Sequence, residues 1–160
     1  MGEANAGRTE PLLLPWEMKR KIQDEMGGFE IKLLLEKQLF PTDLCSKHNR
    51  FSIPINKISK EFLREEEKKV LETRSGDGNK LGGIRVKIVD PCLREYDSLL
   101  EKWAITSPIY NLTHQWISVV QDNQFQCDDA VQLWSFRVPH DELCFALVVP
   151  LRSSDPSDCI

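Results

Sequence analysis

The sequence predicts an all-β fold, a barrel or a sandwich, with two short helices. Its apolar runs are short and bounded by turn-forming residues, and several alternate between apolar and polar positions as strands do. Two patches between the strands show the spacing of an amphipathic helix. The chain has 160 residues, of which 41% are hydrophobic, and this is enough for one domain with its own core.

Six segments have the character of strands. They are 31–40, 51–53, 84–89, 110–112, 130–138 and 143–149. A proline directly follows each of the first two segments, and the alternation is clearest from Ile84 to Val89. Because Pro139 to Glu142 is a connection of hairpin size, we expect the last two strands to be antiparallel neighbours.

The two helical patches are 56–62 and 115–120. Apolar residues recur at i, i+4 in the first patch and at i, i+3, i+4 in the second. We expect the charge-rich segment 64–71 to continue the first helix. The glycine-rich segment 75–83 is expected to form an exposed loop.

The chain divides into a leader, a folded segment and a tail. We expect residues 1–31 to form a flexible leader, within which 16–26 can form one short helix, and residues 151–160 to form a polar tail. The folded segment, 32–150, has a formal charge of only −1, and the whole chain has −4. No global positive field therefore points to a nucleic-acid partner.

Several classes of protein are not expected. The longest apolar run, Leu143 to Val149, is much shorter than the roughly 18 residues of a membrane span. The first residues do not resemble an export signal, so we expect no secretion. The five cysteines include no Cys-x-x-Cys pair, and we expect them to be reduced thiols.

Catalytic motifs are also missing from the sequence. It has neither a phosphate-loop string nor a Gly-x-Ser-x-Gly elbow, so nothing indicates an enzyme or a small-molecule substrate. The pairs Cys45-x-x-His48 and His140-x-x-x-Cys144 leave a zinc site, in a metal- or thiol-dependent enzyme, as a formal alternative. The pairs are far apart in the chain and neither is a Cys-x-x-Cys knuckle, so we expect no metal and no cofactor.

One locus carries local positive charge. Positions 37–50 contain three cations, Lys37, Lys47 and Arg50, and only one carboxylate, Asp43. Polar residues lie between them in the sequence. Cations neutralise phosphates, and Asn and Arg side chains can pair with base edges, so this composition suits a loop that enters a groove of DNA. By composition alone, an ordinary solvated loop is the alternative.

The order of motifs is more specific than any single motif. The motifs are Glu36-Lys37, Pro41 to Leu44, Asn49 to Pro54, Tyr110 to Thr113, Trp116, Val119-Val120, Asn123 and Asp129 to Trp134. Together they resemble the plant-specific B3 DNA-binding domain over about 32–149. The most similar branch carries a Leu-Phe-Pro-Thr-Asp-Leu entry and a Gln-Leu-Trp-Ser-Phe-Arg strand, found here at Leu39 to Leu44 and Gln132 to Arg137. The resemblance implies a seven-stranded open pseudobarrel with two short helices, in residues 32–150.

The resemblance also implies a binding site. B3 domains hold the DNA major groove with two loops, which correspond here to a first arm, Lys37 to Arg50, and a second arm around Trp103 to Ile109. The implied DNA-binding residues are Lys37, Thr42, Lys47, Asn49 and Arg50 on the first arm, and Lys102, Thr106 and Ser107 on the second.

The resemblance thus implies sequence-preferring binding of double-stranded DNA by a transcription regulator in a plant nucleus, without catalysis. It allows other transcription factors as further partners and implies neither a membrane nor a small molecule. The alternative is a B3-fold protein-interaction module with weak or no DNA binding. It is motivated by the charge of −4 and by apolar residues on the second arm, such as Ala104 and Ile105.

The sequence differs from the usual B3 pattern in three places. His114 stands where the family usually has Lys, and Asp128 stands where it usually has Gly, in a left-handed turn. We expect Trp116, Trp134 and Phe136 to be buried and to join the second helix to the barrel. The third departure is the apolar second arm, from which we expect little reading of bases.

Overall fold

A computed structural model describes residues 14–72, 83–104 and 107–150. Seven strands lie within these ranges. They are β1 Phe29–Gln38, β2 Arg50–Pro54, β3 Gly83–Val89, β4 Glu95–Ala104, β5 Pro108–Thr113, β6 Ala130–Val138 and β7 Glu142–Val148. They form one sheet in the order β1-β6-β7-β3-β4-β5-β2, in which β3 and β7 are parallel and the other neighbours antiparallel. The predicted seven-stranded open barrel and the predicted hairpin of β6 and β7 are confirmed.

Short helices connect the strands. In the described ranges they are α1 Trp16–Arg20, α2 Pro41–Leu44, α3 Glu65–Glu72 and α4 Trp116–Asn123, with a π-helical turn at Lys21–Glu25 and 3-10 turns at Ile55–Lys57 and Pro139–Asp141. The predicted second helix, 115–120, is confirmed as α4. The predicted loop 75–83 lies outside the described residues except for Gly83, and the tail 151–160 lies outside them entirely.

The predicted first helix, 56–62, is wrong. After the 3-10 turn the chain is held against β1, because the Ser59 N–H and hydroxyl both donate to the Leu34 carbonyl, at 2.9 and 3.1 Å. The helix begins later, as α3, where the Arg64 N–H donates to the Glu67 carboxylate at 2.8 Å. The segment expected only to continue a helix therefore forms the whole of it.

The sheet buries apolar side chains on both faces. The larger cluster fills the inside of the half-barrel and includes Trp116 of α4. A second cluster lies on the outside, where Trp134 and Phe136 of β6 pack against Met18 and Ile22. All three predicted aromatics are buried, but only Trp116 joins the second predicted helix to the barrel.

The N-terminal helix corrects the prediction of a flexible leader for residues 14–31. The helical spacing of Met18 and Ile22 places both side chains, 2% and 0% exposed, against the outside of the sheet. Gly28 lets the chain return closely, since a Cβ at that position would lie 2.4 Å from Ile22 Cγ2. The short helix predicted at 16–26 is confirmed as α1 and its π-helical continuation.

The cysteines differ partly from the prediction. Cys45, Cys127 and Cys144 are free, as expected, but Cys92 is disulfide-bonded. Across the described residues, no helix has both the length and the apolar character needed to cross a membrane.

Candidate nucleic-acid interface

The two arms lie at opposite ends of β5. In the register of β2 with β5, Arg50 is opposite Thr113 and Pro54 is opposite Ile109. The first arm therefore ends beside Thr113, whereas the second arm leads into the other end of the strand. Four residues of extended chain separate these ends, a distance of about 13 Å. The outer face of β2, β5 and β4 lies between the arms.

The Lys37 ammonium lies inside the first arm. Its side chain is 8% exposed, and Nζ is 3.0 Å from Oδ2 of Asp43, which is 1% exposed. Nζ also donates to the Ser52 carbonyl at 2.9 Å and lies over the rings of Phe40 and Phe51. Burial lowers the pKa of Lys37, and the charge of Asp43 offsets this only in part. In this structure the cation is committed to the fold.

Asp43 connects several parts of the first arm. Its carboxylate accepts the Phe40 N–H at 2.8 Å and so caps α2, where Pro41 occupies the first position. Its main-chain carbonyl accepts the indole N–H of Trp116 at 2.6 Å. In the sequence, Asp43 was considered only as a negative charge among the cations of the arm. Its position two residues after Pro41 is also a signal for the start of a helix.

Asn49 fastens the end of the arm to α4. It has a left-handed backbone, with φ of 48°, and its Oδ1 accepts the N–H of Ile117 at 2.9 Å. This bond satisfies one of the free N–H groups in the first turn of the helix. The acceptor of Asn49 is therefore occupied by the fold.

The remaining first-arm candidates are exposed to solvent in full or in part. Thr42 and Lys47 are exposed, and Arg50 is half-buried. A guanidinium can only donate, so the 3.0 Å contact between Arg50 Nη1 and His48 Nδ1 makes the imidazole nitrogen the acceptor. No carboxylate in the described part of the chain pairs with Lys47 or Arg50. The first arm thus offers two uncompensated cations.

The second arm offers less charge. Lys102 forms an ion pair with Glu72 of α3, and Ser107 is exposed. Thr106 lies outside the described residues. At the foot of this arm, the guanidinium of Arg50 stacks on Trp103, 4.9 Å from the ring centroid. The two arms are therefore linked by this stack across the sheet.

Two of the departures from the family pattern lie at left-handed positions. Asp128 has φ of 73°, which confirms the turn expected before β6. His114 is exposed with φ of 59°, and Gln115 beside it has φ of 62°. The strain at Gln115 was not recognised from the sequence.

The Cys/His pairs do not converge. In the described ranges, no group of three or more His, Cys, Asp or Glu side chains is placed to hold a metal ion. Burial raises the pKa of the Cys144 thiol to about 11, so this sulfur is protonated at neutral pH.

Comparison with known proteins decides the family. Residues 7–151 match the family described as B3 domain-containing protein At2g31720-like. The chain belongs to this B3 family. The finer branch inferred from Leu39 to Leu44 and Gln132 to Arg137 stays a prediction.

Arabidopsis thaliana has related B3 proteins. B3 domain-containing protein At2g31420 is 33% identical over 135 residues, covering 82% of this chain and 64% of the relative. B3 domain-containing protein At1g05930 is 32% identical over 153 residues, covering 87% and 47%, and At2g24670 is 36% identical over 152 residues, covering 91% and 59%. This B3 chain spans about half the length of the curated relatives it matches.

Two solved structures are partly similar. One is an Arabidopsis FUS3–DNA complex, at 17% identity and a TM-score of 0.47, covering 73% of this chain and 97% of that chain. The other is a complex of the Arabidopsis thaliana transcription factor LEC2 with DNA, at 18% identity and a TM-score of 0.47, covering 78% and 97%.

Proposed function

We propose that this B3 domain binds double-stranded DNA with a sequence preference, its two arms entering the major groove, and acts as a transcription regulator in a plant nucleus. The observation that carries the proposal is the pair of uncompensated cations, Lys47 and Arg50, on the first arm. Family membership supports the same activity. The separation of about 13 Å between the arm ends suits a major groove about 12 Å wide.

Most of the candidate residues are proposed to contact DNA directly. Lys47 and Arg50 neutralise phosphates, and Arg50 can also reach a guanine edge. The exposed hydroxyls of Thr42 and Ser107 donate to phosphates, and Thr106 is proposed for the same role from the family pattern alone. Lys102 must leave Glu72 before it can contact DNA.

Lys37 and Asn49 hold the first arm in place. Lys37 joins β1 to α2 through its buried pair with Asp43 and to β2 through its bond to the Ser52 carbonyl. The bond from Ile117 to Asn49 joins the arm to α4. An arm held in this way loses less conformational freedom when it binds, and this favours affinity. Both residues thus support DNA binding from within the protein.

A titration with random-sequence duplex DNA at two salt concentrations tests the proposal, with fluorescence anisotropy as the readout. We expect binding that weakens with salt, with a log-log slope of about −0.9 for each phosphate contact. Absence of binding by folded protein would favour the alternative, a B3-fold protein-interaction module. Nuclear localisation is checked separately with a fluorescent fusion in plant cells, and the absence of catalysis and of a cofactor stays a prediction.

A further inference from the structure

Asn111 of β5 has a buried amide without partners. The residue is 0% exposed, and neither its Nδ2 nor its Oδ1 has a hydrogen-bond partner among the described residues. Buried polar atoms in native proteins are nearly always paired, because an unpaired one keeps the full cost of leaving water. An amide that lacks both bonds therefore calls for an explanation.

The amide lies on the outer face between the two arms. Asn111 is opposite Ser52 of β2 and Glu101 of β4, while its neighbours Tyr110 and Leu112 belong to the inner core. Side chains alternate along a strand, so Asn111 faces outward. Its outward-facing neighbours, such as Ser52, Thr113 and Glu101, are only half-buried, whereas this side chain is fully covered.

The stack that links the arms lies at the row of Asn111. Arg50 is aligned with Thr113, one row of the sheet to one side of Asn111, and Trp103 is aligned with Ile109, one row to the other side. The guanidinium of Arg50 is 4.9 Å from the Trp103 ring, so the stack spans the row that contains Asn111. Movement of Arg50 toward DNA would open this row and expose the amide.

The amide can then bond a group that presents one acceptor beside one donor. The major-groove edge of adenine does this with N7 and its N6 amino group, whereas a phosphate oxygen can satisfy only the Nδ2 donor. We propose that Asn111 is a further DNA-contacting residue, which takes the major-groove edge of an adenine after Arg50 has moved off Trp103. The inference rests on the proposed function.

The proposal predicts opposite effects on stability and binding. Valine fits a buried strand position and has no polar atoms, so Asn111→Val should raise the melting temperature of the free protein. The same change should weaken binding to adenine-containing DNA by about 5- to 150-fold, which is what one bidentate base contact contributes. A purely structural amide would not produce this combination.

The experiment uses the full chain and a duplex enriched by the wild-type protein from a random pool. Binding is measured to this duplex and to a version in which 7-deazaadenine, which lacks the N7 acceptor, replaces adenine. We expect 7-deazaadenine to weaken DNA binding by the wild-type protein strongly. Binding by the Asn111→Val variant should be weakened much less. Thr113→Val is the matched control, since it removes a hydroxyl from the same strand and face, and it should respond to 7-deazaadenine as wild type does.

Each remaining outcome counts against the proposal. If Asn111→Val binds like wild type, or keeps the full sensitivity to 7-deazaadenine, Asn111 does not contact adenine. A lowered melting temperature shows that the amide is already satisfied in the free protein and overturns the premise. If the wild-type protein enriches no duplex, both the proposed function and this inference are wrong. If the wild-type protein binds DNA and the Asn111→Val variant binds equally well, only this inference is wrong.

Discussion

The ammonium nitrogen of Lys37 lies 3.0 Å from Oδ2 of Asp43, in a pair that is almost completely buried. Lys37 stands near the end of β1 and bonds the Ser52 carbonyl of β2, and these are the two edge strands of the open barrel. The pair therefore holds the edges together at the base of the first arm. A cation whose residue type suits phosphate contact serves here to organise the fold.

The first prediction concerns this pair. Asp43→Ala or Lys37→Met should each lower the free energy of unfolding by about 3 to 5 kcal/mol, because the remaining charge is buried without its partner. The double variant should lose much less than the sum of the two. Urea unfolding of the four proteins in a double-mutant cycle measures the coupling, and additive effects would show that the two groups do not depend on each other.

The second prediction concerns acid stability. Arg137, 2% exposed, donates to both carboxylate oxygens of Glu67 at 2.7 and 2.8 Å. Burial acts to raise the pKa of Glu67, but the hydrogen bonds from Arg137 and from the Arg64 N–H outweigh it, so the pKa lies below its ordinary 4.5. A lowered folded-state pKa means that this stabilisation is present above pH 4.5 and is lost as the pH falls through the folded value.

The comparison for this prediction is Glu67→Gln. The variant should be less stable than wild type at pH 7, and its stability should fall less steeply below pH 4.5, because no carboxylate at this position takes up a proton on unfolding. Unfolding curves at a series of pH values measure both. Parallel losses in the two proteins would contradict the assignment of the acid sensitivity to Glu67.

The third prediction separates packing from DNA stacking. Trp134 is 7% exposed beneath α1, so Trp134→Ala should cost about 3 to 5 kcal/mol of stability. Trp16→Ala, a change on α1 itself at a side chain 65% exposed, should cost less than about 1 kcal/mol. Thermal unfolding checks both. Normal stability with lost DNA binding in the Trp134 variant would place that ring on the DNA surface.

The fourth prediction concerns backbone strain before α4. Gln115 is exposed with φ of 62°, a conformation that costs a residue with a Cβ about 1 to 2 kcal/mol. We expect Gln115→Gly to stabilise the protein by about 1 kcal/mol. Gln121→Gly, at an exposed position within α4, should instead destabilise it by about 1 kcal/mol. Equal effects of the two changes on the melting temperature would be inconsistent with strain at Gln115.

Much of the fold could be predicted because its strands end at prolines and alternate clearly, as from Ile84 to Val89. Prediction failed where tertiary contacts decide. Residues 56–62 have helical spacing, but the bonds from Ser59 to Leu34 hold them against β1. The spacing of Met18 was visible, whereas the outer surface of β6 that receives it was not, because nearly every residue of that strand is buried and no polar face marks it.

The candidate site was predictable as a location and not as a set of contacts. Residue types identify a cationic first arm, yet which cations are free depends on Asp43 folding back onto Lys37. The stack of Arg50 on Trp103 joins residues that are far apart in the chain, so no local sequence pattern could predict it. Asn111 gave only one signal, a polar residue inside a strand.

The salt dependence of duplex binding tests the central claim most directly. Wild type is compared with the double variant Lys47→Ala, Arg50→Ala, in which Lys37 is left in place to preserve the arm. Lys19→Ala, an exposed cation on α1 over other strands of the sheet, is the control. We predict that the log-log slope of the folded double variant shrinks by up to about 1.8, at 0.9 for each phosphate that is no longer neutralised, while the control keeps the wild-type slope. An unchanged slope in the folded double variant would contradict DNA binding through the first arm.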